Sequence, residues 1–344
     1  MNNILTGKNV LVTGGTGSIG SEIVKQVLLD GAQTVVVFSR DEIKHFLLRK
    51  RLSDGRLHTI VGDIRNPRSI EQVFRRFNID IIYHTAAMKH VVMCEDFPLE
   101  AVATNIGGTQ NIVDAAERNH VAKFITVSTD KAAYPSNVLG ATKFIAERIT
   151  LNANKTQIDK HALSCVRFGN VACSRGSVIP VYIDNLIHKN PLQITDPEVT
   201  RFIMEIPDAV RLIIKATEKA SGGEIFILKM KAFKLQNLVD VIVEKIAPRL
   251  GLTKQDIRIE TNGLVPGEKL HEDLISPNEI DRLYETDDMF LILPDNKAAG
   301  KITEFKKTRL TEYSSKNTEL ISNQELENMI LKYLTLRSQE LISG

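Results

Sequence analysis

The most chemically suggestive stretch of this sequence is Ser128-Thr-Asp-Lys-Ala132, in which a carboxylic acid and an amine are adjacent. It follows the apolar run 123–128, and because unpaired charges are costly beside a core, packing explains Asp130 and Lys131 poorly. An acid beside a base supplies the two proton-transferring groups that an elimination reaction needs. Simple hydride transfer would not need both.

A second suggestive stretch is the glycine-rich loop after the apolar run 9–13. Gly15, Gly17 and Gly20 satisfy G-x-G-x-x-G, and Thr13 with Gly14 extends the pattern to T-G-x-x-G-x-x-G. Such glycines permit a tight turn, close approach of a pyrophosphate and packing of the next helix on its strand. N–H groups at the helix start then attract the phosphates. We predict that this dinucleotide-binding loop consists of Thr13, Gly14, Gly15, Thr16, Gly17, Ser18, Ile19 and Gly20.

The end of the second apolar run indicates which dinucleotide binds. An acid about 20 residues past the glycines usually binds the ribose 2′-hydroxyl of NAD, whereas a basic residue suits the 2′-phosphate of NADP. Here Ser39 and Arg40 end the run, and Lys44 follows one turn later. We predict NADP. In the alternative, with NAD, Arg40 is only a solvated charge and Asp41 binds the ribose.

Small and polar residues follow two further apolar runs and suit a bound adenine and ribose. Asp63 and Ile64 follow the run 59–61, whereas Ala86 and Ala87 follow the run 79–83. In open α/β sheets, ligands bind at the carboxyl ends of strands, where these residues would lie.

The elements that must position these residues alternate between strands and helices. The predicted strands are 9–13, 34–38, 59–61, 79–83 and 123–128, and the predicted helices are 21–30, 69–77 and 101–119. Continuous β-branched runs alternating with helices indicate a parallel sheet covered on both faces. We therefore predict an α/β fold with a Rossmann-like, doubly wound parallel sheet and a smaller C-terminal substrate-binding region.

The alternation ends after a predicted helix at 144–152 and an apolar run at 162–168. We predict an NADP-binding domain over 1–170 with returning segments near 195–230, a mainly substrate-binding region over 171–294, and a tail over 295–344. Residues 200–202 and 267–272 are predicted loops of the smaller region, and 323–338 is a predicted helix of the tail.

Composition excludes several classes of protein. Apolar content of 43% and charged content of 25% are ordinary for a soluble globular chain, and a net charge of +2 favours neither nucleic acid nor an anionic membrane. Three cysteines without a C-x-x-C pair argue against a disulfide framework. No run approaches the roughly 18 apolar residues of a membrane helix, and the N-terminus lacks a signal core. We predict a cytoplasmic protein with no nucleic-acid or membrane partner.

A metal site is the weaker interpretation of the histidines. The irregular spacing of His84, His90 and Cys94 and the missing fourth ligand do not suit a zinc site. His271-Glu272 lacks the second histidine of H-E-x-x-H. We predict no metal.

At these residues the chain resembles the extended short-chain dehydrogenase/reductases, and within them the UDP-N-acetylglucosamine 4,6-dehydratases of glycan synthesis. The similarity covers about residues 5–294. The matching motifs are Thr13-Gly-Gly-Thr-Gly-Ser-Ile-Gly20, Ser39-Arg-Asp-Glu42, Ala86-Ala-Met-Lys-His-Val91, Thr104-Asn-Ile-Gly-Gly-Thr109, Ser128-Thr-Asp-Lys-Ala132, Gly140-Ala-Thr-Lys143, Gly169-Asn-Val171, Ser174-Arg-Gly-Ser-Val-Ile-Pro180, Thr200-Arg-Phe202 and Gly267-Glu-Lys-Leu-His-Glu272.

The resemblance implies a role for each motif. Lys131 would be the base at sugar C5, Asp130 the acid for the C6 hydroxyl and Thr129 a partner of the C4 oxygen, while Lys143 would bind the nicotinamide ribose. Lys89 and Asn105 would also contact the cofactor. The implied residues for the UDP-sugar substrate are Lys89, His90, Asn170, Arg175, Ser177, Val178, Thr195, Arg201 and Glu268.

Two residues depart from the family pattern. Leu139 stands where the superfamily has the tyrosine of Y-x-x-x-K, so the C4 base is open between Thr129, Asp130 through a water, and Tyr134. Some dehydratases of this group have an apolar methionine there and are active. Val265 replaces an arginine expected on the diphosphate, which would leave that charge to Arg175 and Arg201.

Three functions therefore compete. The first is the 4,6-dehydratase, the second is a nucleotide-sugar 4-epimerase, which needs no C5 base, and the third is a catalytically silent nucleotide-binding protein, favoured by Leu139 and Val265. The resemblance also implies a homo-oligomer, formed by apolar helices near 101–119 and 139–152.

Overall fold

The computed structural model describes residues 3–156, 161–295 and 304–343. Its strands are β1 Asn9–Thr13, β2 Thr34–Ser39, β3 Leu57–Val61, β4 Ile81–His84, β5 Lys123–Thr129, β6 Ala162–Phe168, β7 Asn170–Val171, β8 Leu192–Ile194, β9 Thr200–Met204, β10 Ile225–Leu228, β11 Lys231–Lys234, β12 Ile259–Thr261, β13 Leu283–Glu285, β14 Met289–Ile292 and β15 Lys306–Lys307. Its α-helices are α1 Ser18–Leu29, α2 Glu42–Leu52, α3 Pro67–Phe74, α4 Val91–Asp96, α5 Pro98–Ala101, α6 Gly108–Arg118, α7 Val138–Thr156, α8 Val178–Ile187, α9 Ile206–Lys219, α10 Leu235–Val241 and α11 Asn323–Ser343.

A ten-stranded sheet organises the larger part of the chain, in the order β3-β2-β1-β4-β5-β6-β10-β14-β13-β15. The strands from β3 to β10 are parallel, and β14, β13 and β15 continue the sheet antiparallel. Strands that alternate with helices must return in the same direction, which explains the parallel part. The predicted α/β doubly wound parallel sheet is confirmed.

The central strands of this sheet are buried on both faces. Leu11 pairs in register with Val36 and Ile82, and Ile82 pairs with Phe124. These four side chains form one buried cluster with residues of α3, α6 and α7. The alternate residues of β1 are equally buried, so polar residues at the strand ends are the ones left to contact ligands.

Contacts divide the chain into two compact units. Unit 1 comprises Met1–Phe168, Pro207–Lys229 and Leu274–Glu312, and unit 2 comprises Gly169–Ile206, Met230–Asp273 and Tyr313–Gly344. Residues 274–294, predicted for the substrate-binding region, are therefore part of unit 1, because β14 pairs with β10 and its four residues are buried. Residues 304–312 of the predicted tail are in unit 1 and its helix is in unit 2, whereas 296–303 lie outside the described residues.

Unit 2 has its own core and two small sheets, β11-β9-β7 and β12-β8. Ile183 of α8, Leu238 of α10, and Leu326 and Ile330 of α11 are buried in one cluster. The predicted tail helix is α11, and its apolar side chains cover this core. It is a structural element of unit 2 and no loose extension.

Several predicted boundaries shift, and two elements differ in kind. The first helix begins at Ser18, three residues before its predicted start, because Gly17 is its N-cap. The predicted helix 101–119 is divided among α5, a π-helical segment Val102–Gly107 and α6. The predicted loop 200–202 is part of β9, which pairs with β11. Pairing with a strand distant in sequence leaves no local signal.

Candidate active site

The glycine loop joins β1 to α1 through close backbone contacts. Gly14 has φ +67°, and a Cβ on it would lie 2.8 Å from the Ala86 Cα atom. A Cβ on Gly20 would lie 2.4 Å from the Gly14 carbonyl oxygen, so α1 starts directly against the turn. Only glycine fits at these two positions. The loop therefore has the conformation that its sequence pattern predicts.

The start of α1 suits an anion. Gly17 is the N-cap and offers no side-chain oxygen to the first turn, so no carboxylate or hydroxyl at that position caps the helix. N–H groups at a helix start and the helix dipole both favour negative charge. Thr16 is oriented here by a 2.9 Å hydrogen bond between its hydroxyl and that of Ser39.

Ser39 ends β2 and connects three elements. Its hydroxyl bonds to Thr16 of the glycine loop and to the His45 Nε2 atom of α2, at 2.9 Å each. The next residue, Arg40, is exposed. Asp41 caps α2 and forms a 2.6 Å ion pair with Lys44. Arg40 and Lys44 are the two basic residues predicted to bind the 2′-phosphate. Lys44 thus pairs with Asp41, the residue that would bind the ribose if the cofactor were NAD.

Asp63 follows β3 and is held by a neighbouring arginine. Arg65 donates to Asp63 at 2.6 Å and also to Glu100 at 2.6 Å. Burial alone would raise the pKa of Asp63, but the Arg65 guanidinium and N–H hold the pKa below its usual value. Asp63 is therefore a fixed carboxylate at the carboxyl end of β3, while the next residue, Ile64, is buried.

His84 ends β4 and lies in a buried hydrogen-bond chain. The Thr109 hydroxyl donates to the Asn105 carbonyl at 2.6 Å, so it must accept from His84 Nε2 at 3.0 Å. The His84 Nδ1 atom then accepts from the Thr13 hydroxyl at 2.7 Å. Burial and the charge of Lys143 lower the pKa of His84 to about 3. His84 is thus neutral and connects the glycine loop to the Val102–Gly107 segment.

Asn105 is buried, and its amide is bonded on both sides. Its Oδ1 atom accepts from the Met88 N–H at 2.8 Å, and its Nδ2 atom donates to the Met88 carbonyl at 3.2 Å and to Thr142 at 3.0 Å. π-Helical turns frequently occur at functional sites. Asn105 positions the segment after β4 beside the residue that precedes Lys143. Its predicted contact with the cofactor stays a prediction.

The Thr129–Asp130–Lys131 segment begins as β5 ends, and Asp130 is fully buried. Asp130 Oδ1 accepts from the Thr129 hydroxyl at 2.7 Å, the Lys131 N–H at 2.8 Å and the Lys131 Nζ atom at 3.1 Å. Within the described residues, Asp130 Oδ2 has no hydrogen-bond partner. One carboxylate oxygen is saturated, and the other is a buried acceptor without a partner, which calls for an explanation.

Lys143 is buried in α7 and points to the strand that carries this segment. Its Nζ atom donates to the Val127 carbonyl at 2.7 Å. Burial lowers the pKa of Lys143, and the carboxylate of Glu147, one turn along α7, opposes that shift. Lys143 is therefore fixed near the end of β5, as a predicted ribose ligand would be.

Beneath this segment lies an ionic group, Glu147, Arg167 and Glu279, which we call the Arg167 cluster. Arg167 is fully buried and bonds to Glu147 at 2.7 and 3.0 Å and to Glu279 at 2.9 and 3.0 Å. A fifth bond goes to the Leu274 carbonyl at 2.8 Å. Burial alone would lower the pKa of Arg167, but the two carboxylates raise it. Ser128 donates to Glu147 at 2.6 Å, which joins the cluster to β5.

Leu139 and Tyr134 differ sharply in exposure. Leu139 is buried in a small apolar cluster with Cys94 and Ala101, so its side chain is structural. Tyr134, a predicted alternative for the C4 base, is 60% exposed. Thr129, another predicted candidate for the C4 base, donates a hydrogen bond to Asp130.

The predicted ligands Lys89 and His90 lie just beyond the segment after β4. Both are exposed, whereas Ala86 and Ala87 are half-buried. His90 is the N-cap of α4 but makes no side-chain capping bond. Partial burial and the Lys89 charge lower the pKa of His90. A neutral, exposed imidazole beside a cation is suited to hydrogen bonding with a polar ligand.

In unit 2, three of the predicted substrate residues are brought together. Arg201 donates to Glu268 at 2.6 Å and to the Thr200 carbonyl at 2.8 Å, and it is nearly buried. Thr195 donates to the same Glu268 oxygen at 3.4 Å. Val265, in place of the family's arginine, is 37% exposed. Arg201 is therefore held in an internal ion pair with Glu268, and its predicted contact with the diphosphate stays a prediction.

Three other predicted substrate residues of unit 2 lie at or just before the start of α8. Ser177 is the N-cap, Val178 is the first residue, and Ser177 Oγ is buried without a partner in the part of the chain that the structure describes. Arg175 is exposed two residues earlier. Asn170 pairs with Ile203 in the sheet of β7 and β9. Arg175 and Ser177 are therefore better placed to bind an anion than Arg201, which pairs with Glu268.

The Arg167 cluster and His84 network were missed from the sequence. One signal was available, since Arg167 interrupts a run of otherwise uncharged residues in a strand whose seven residues are all buried. A charge in such a place implies buried partners. The identity of Glu279 as a partner, 112 residues away, gave no local signal.

Comparison with known proteins agrees with these features. A family model for polysaccharide biosynthesis proteins matches residues 10–294. An uncharacterized membrane protein of Methanocaldococcus jannaschii is 42% identical, over 96% of this chain and 97% of that protein. The capsular polysaccharide biosynthesis protein CapD of Staphylococcus aureus is 41% identical, over 82% of this chain and 47% of that protein. The UDP-glucose 4-epimerase of Rickettsia canadensis is 34% identical, over 94% of this chain and 95% of that protein.

Solved structures give the same picture. Pen from Bacillus thuringiensis is 40% identical with a TM-score of 0.88, over 95% of this chain and 98% of that chain. DesIV, a dTDP-glucose 4,6-dehydratase from Streptomyces venezuelae solved with NAD and TYD, is 21% identical with a TM-score of 0.71 over 96% and 98%, a likeness of fold alone. Among the described residues, no helix is long and apolar enough to cross a membrane. The chain belongs to the polysaccharide biosynthesis protein family, within the extended short-chain dehydrogenase/reductases.

Proposed function

We propose that this protein is an NADP-dependent nucleotide-sugar 4,6-dehydratase that converts UDP-N-acetylglucosamine to a UDP-4-keto-6-deoxy sugar for surface glycan synthesis. The observation that carries the proposal is the pair Asp130–Lys131, a buried acid with one unpartnered oxygen in contact with a lysine. Water elimination needs an acid and a base in one turnover. The pair directly follows β5, at the carboxyl end of a strand, where open α/β sheets bind their ligands.

The residues present fit a dinucleotide. Gly14 and Gly20 leave a turn without side chains, and α1 starts with no capping side chain, as a pyrophosphate requires. Ser39 and Arg40 would bind the adenosine ribose, and Lys143 the nicotinamide ribose. A bound nicotinamide would supply oxidation at sugar C4 and the returning hydride at C6.

The chain's own residues would carry the proton transfers. Thr129 would bond to the C4 oxygen and hold it in line with Asp130. Once C4 is a ketone, the C5 proton is acidic, and Lys131 Nζ would accept it. For this step one proton of the Asp130–Lys131 pair must start on Asp130 Oδ2, which leaves Lys131 neutral. Asp130 would give that proton to the C6 hydroxyl, which leaves as water. The C5–H and C6–O bonds break, and a C5–C6 double bond forms.

Within unit 2, the start of α8 is the place suited to a diphosphate. The unpartnered Ser177 hydroxyl, the helix N-terminus and the exposed Arg175 are the anion-binding groups there. Arg201 would act differently, by holding Glu268 and the loop 267–272 next to β9.

Two other functions have specific observations in their favour. A 4-epimerase is favoured by the 34% identical relative that bears that name. It would leave Asp130 and Lys131 without a reaction step. A silent nucleotide-binding protein is favoured by the buried Leu139 in place of tyrosine, since leucine cannot exchange a proton.

Incubation of the purified protein with UDP-N-acetylglucosamine distinguishes the three. The dehydratase gives a product lighter by one water, with solvent deuterium at C5 when the reaction is run in deuterated water. An epimerase gives a product of unchanged mass, and a silent protein gives none. Asp130→Asn is the matched variant, and we expect it to slow water loss while cofactor binding is retained.

The cofactor preference has its own test. Arg40 is exposed at the end of β2 and would contact the NADP 2′-phosphate, a charge-assisted interaction worth about 1.5–3 kcal/mol. We expect Arg40→Ala to reduce the preference for NADP over NAD at least tenfold in binding titrations. Equal affinities in the unaltered protein would instead favour the Asp41 alternative. The cytoplasmic location stays a prediction.

Self-association is a further expectation. Unit 1 exposes large apolar side chains near α4, α5 and α7, namely Val92, Met93, Phe97, Leu99, Val102, Phe144 and Ile145. Contiguous exposed apolar residues of this kind mark protein interfaces. We expect light scattering at micromolar concentration to give a mass above that of the monomer, and a monomeric mass would refute it.

A further inference from the structure

The outer face of α2 exposes three large apolar side chains. Ile43 is 66% exposed, Phe46 is 67% exposed and Leu47 is 53% exposed. His45 and Leu48 are buried on the inner face, which packs against the sheet. At 100° per residue, positions 43, 46 and 47 form one stripe along the helix. The helix therefore has apolar residues on both its inner and its outer face.

Basic residues surround this outer stripe. Lys50 lies within it, at the position one turn after Phe46 and Leu47, and Arg49 and Arg51 lie on its two sides. All three are exposed, and no acidic residue occurs between Ile43 and Leu52. The nearest acid is Glu42, which is exposed in the first turn of the helix, while Asp41 pairs with Lys44 and Asp54 pairs with Arg56.

No described element covers the stripe. β3 is the last strand at this end of the ten-stranded sheet, and α2 packs on β2 and β3. Three large apolar side chains in water, framed by cations, are unusual on a surface that serves only solubility. An apolar stripe with basic flanks is the pattern of helices that lie in the interface of a membrane.

We propose that the outer face of α2 docks on an anionic lipid bilayer, with Ile43, Phe46 and Leu47 in the headgroup region and Arg49, Lys50 and Arg51 on the lipid phosphates. The sequence as a whole has a net charge of +2, which predicts no such partner. The structure concentrates cations and apolar groups on one face, and it is this local pattern that binds. The proposal does not depend on the proposed reaction.

A second copy of the chain fits this face less well. A two-fold contact would place the same patch on both partners, so the three cations of one would face those of the other. Like charges at such an interface oppose association. An anionic bilayer offers the complementary charge. Charge complementarity therefore favours lipid over self-association here.

The test is co-sedimentation of the full chain with vesicles of phosphatidylcholine alone and of phosphatidylcholine mixed with phosphatidylglycerol. We expect binding to the mixed vesicles that declines with added salt. Each cation near an anionic surface contributes about fivefold. Replacing Arg49, Lys50 and Arg51 together with glutamine should weaken binding roughly a hundredfold. Replacing Ile43, Phe46 and Leu47 together with serine should abolish binding.

Leu29→Ser is the matched control, because Leu29 is 75% exposed but lies on α1, and it should bind vesicles as the unaltered protein does. Circular dichroism of each variant checks its fold. Failure of the unaltered protein to bind mixed vesicles, or equal binding by the serine variant, would overturn the proposal. So would a loss of oligomer mass in the serine variant without any vesicle binding, which would assign the face to a second copy.

Discussion

The Thr129–Asp130–Lys131 segment and the Arg167 cluster are neighbouring groups of buried charges. They differ in how completely their polar atoms are hydrogen-bonded. In the Arg167 cluster, Glu147 accepts on both oxygens and Arg167 donates from all three of its nitrogens. In the segment, Asp130 Oδ2 has no partner within the described residues. Ser128 connects the two, since it bonds to Glu147 and precedes Thr129. A complete network fixes the backbone, and an incomplete one can react.

The largest effect is expected at Lys131, where substitution should lower the turnover rate. Lys131→Met should lower turnover by about 10²–10⁴ because the C5 base is lost. Lys131→Arg should be equally inactive, since a guanidinium keeps the ion pair with Asp130 but cannot give up its proton. Product mass spectrometry measures turnover. Activity in the arginine variant would reduce Lys131 to a structural partner of Asp130.

At Arg167, substitution should instead lower the stability of the fold. Arg167→Met leaves Glu147 and Glu279 buried without their counter-charge, which should cost about 3–5 kcal/mol of unfolding free energy. Urea denaturation measures this loss. Arg148→Met is the control, because Arg148 is 41% exposed and contacts the same carboxylates at 3.5 and 4.0 Å, so its loss should cost below about 1 kcal/mol. Equal costs would remove the distinction between the two regions.

A third test lowers the pH to titrate His84. Both ring nitrogens of His84 are hydrogen-bonded, to Thr13 and to Thr109. The folded pKa of His84 is about 3, below its usual value of 6.5, so the unfolded chain takes up the proton first as pH falls. His84 then contributes stability above pH 6.5 that declines by about 1.4 kcal/mol per pH unit toward pH 3.

His84→Gln should flatten this dependence, because an amide can replace the Nε2–H donor to Thr109 without titrating. The measurement is the unfolding free energy of both proteins at several pH values between 6.5 and 4. His45, whose pKa burial also lowers, is unchanged in both and cancels in the difference. Parallel curves would mean that His84 is not held neutral by the fold.

The smallest effect is expected at Leu139, which belongs to neither charged region. Leu139→Met conserves volume in the cluster with Cys94 and Ala101, so stability should change by less than about 1.5 kcal/mol and turnover by less than tenfold. An inactive native enzyme that Leu139→Tyr alone restores would move the C4 base from Thr129 to this position.

Local patterns predicted much of the fold and part of the site. The glycine loop and β1 to β6 follow from runs of neighbouring residues, and Asp130–Lys131 stood out as charges after a strand. The partners of Arg167 could not be predicted, because Glu279 is 112 residues away and comes close only when the C-terminal segment returns to unit 1. Likewise β9 and β14 take their structure from strands distant in sequence.

The order of strands in the main sheet has a consequence for synthesis on the ribosome. β6 has seven buried residues, but its outer neighbour β10 comes only after the first segment of unit 2 and α9 have been made. Until then the nascent chain has an apolar strand with an unpaired edge, the feature that templates aggregation. Slow translation through residues 169–224 would prolong that exposure, so yield in a heterologous host should depend on holding chaperones more than on the stability of the finished fold.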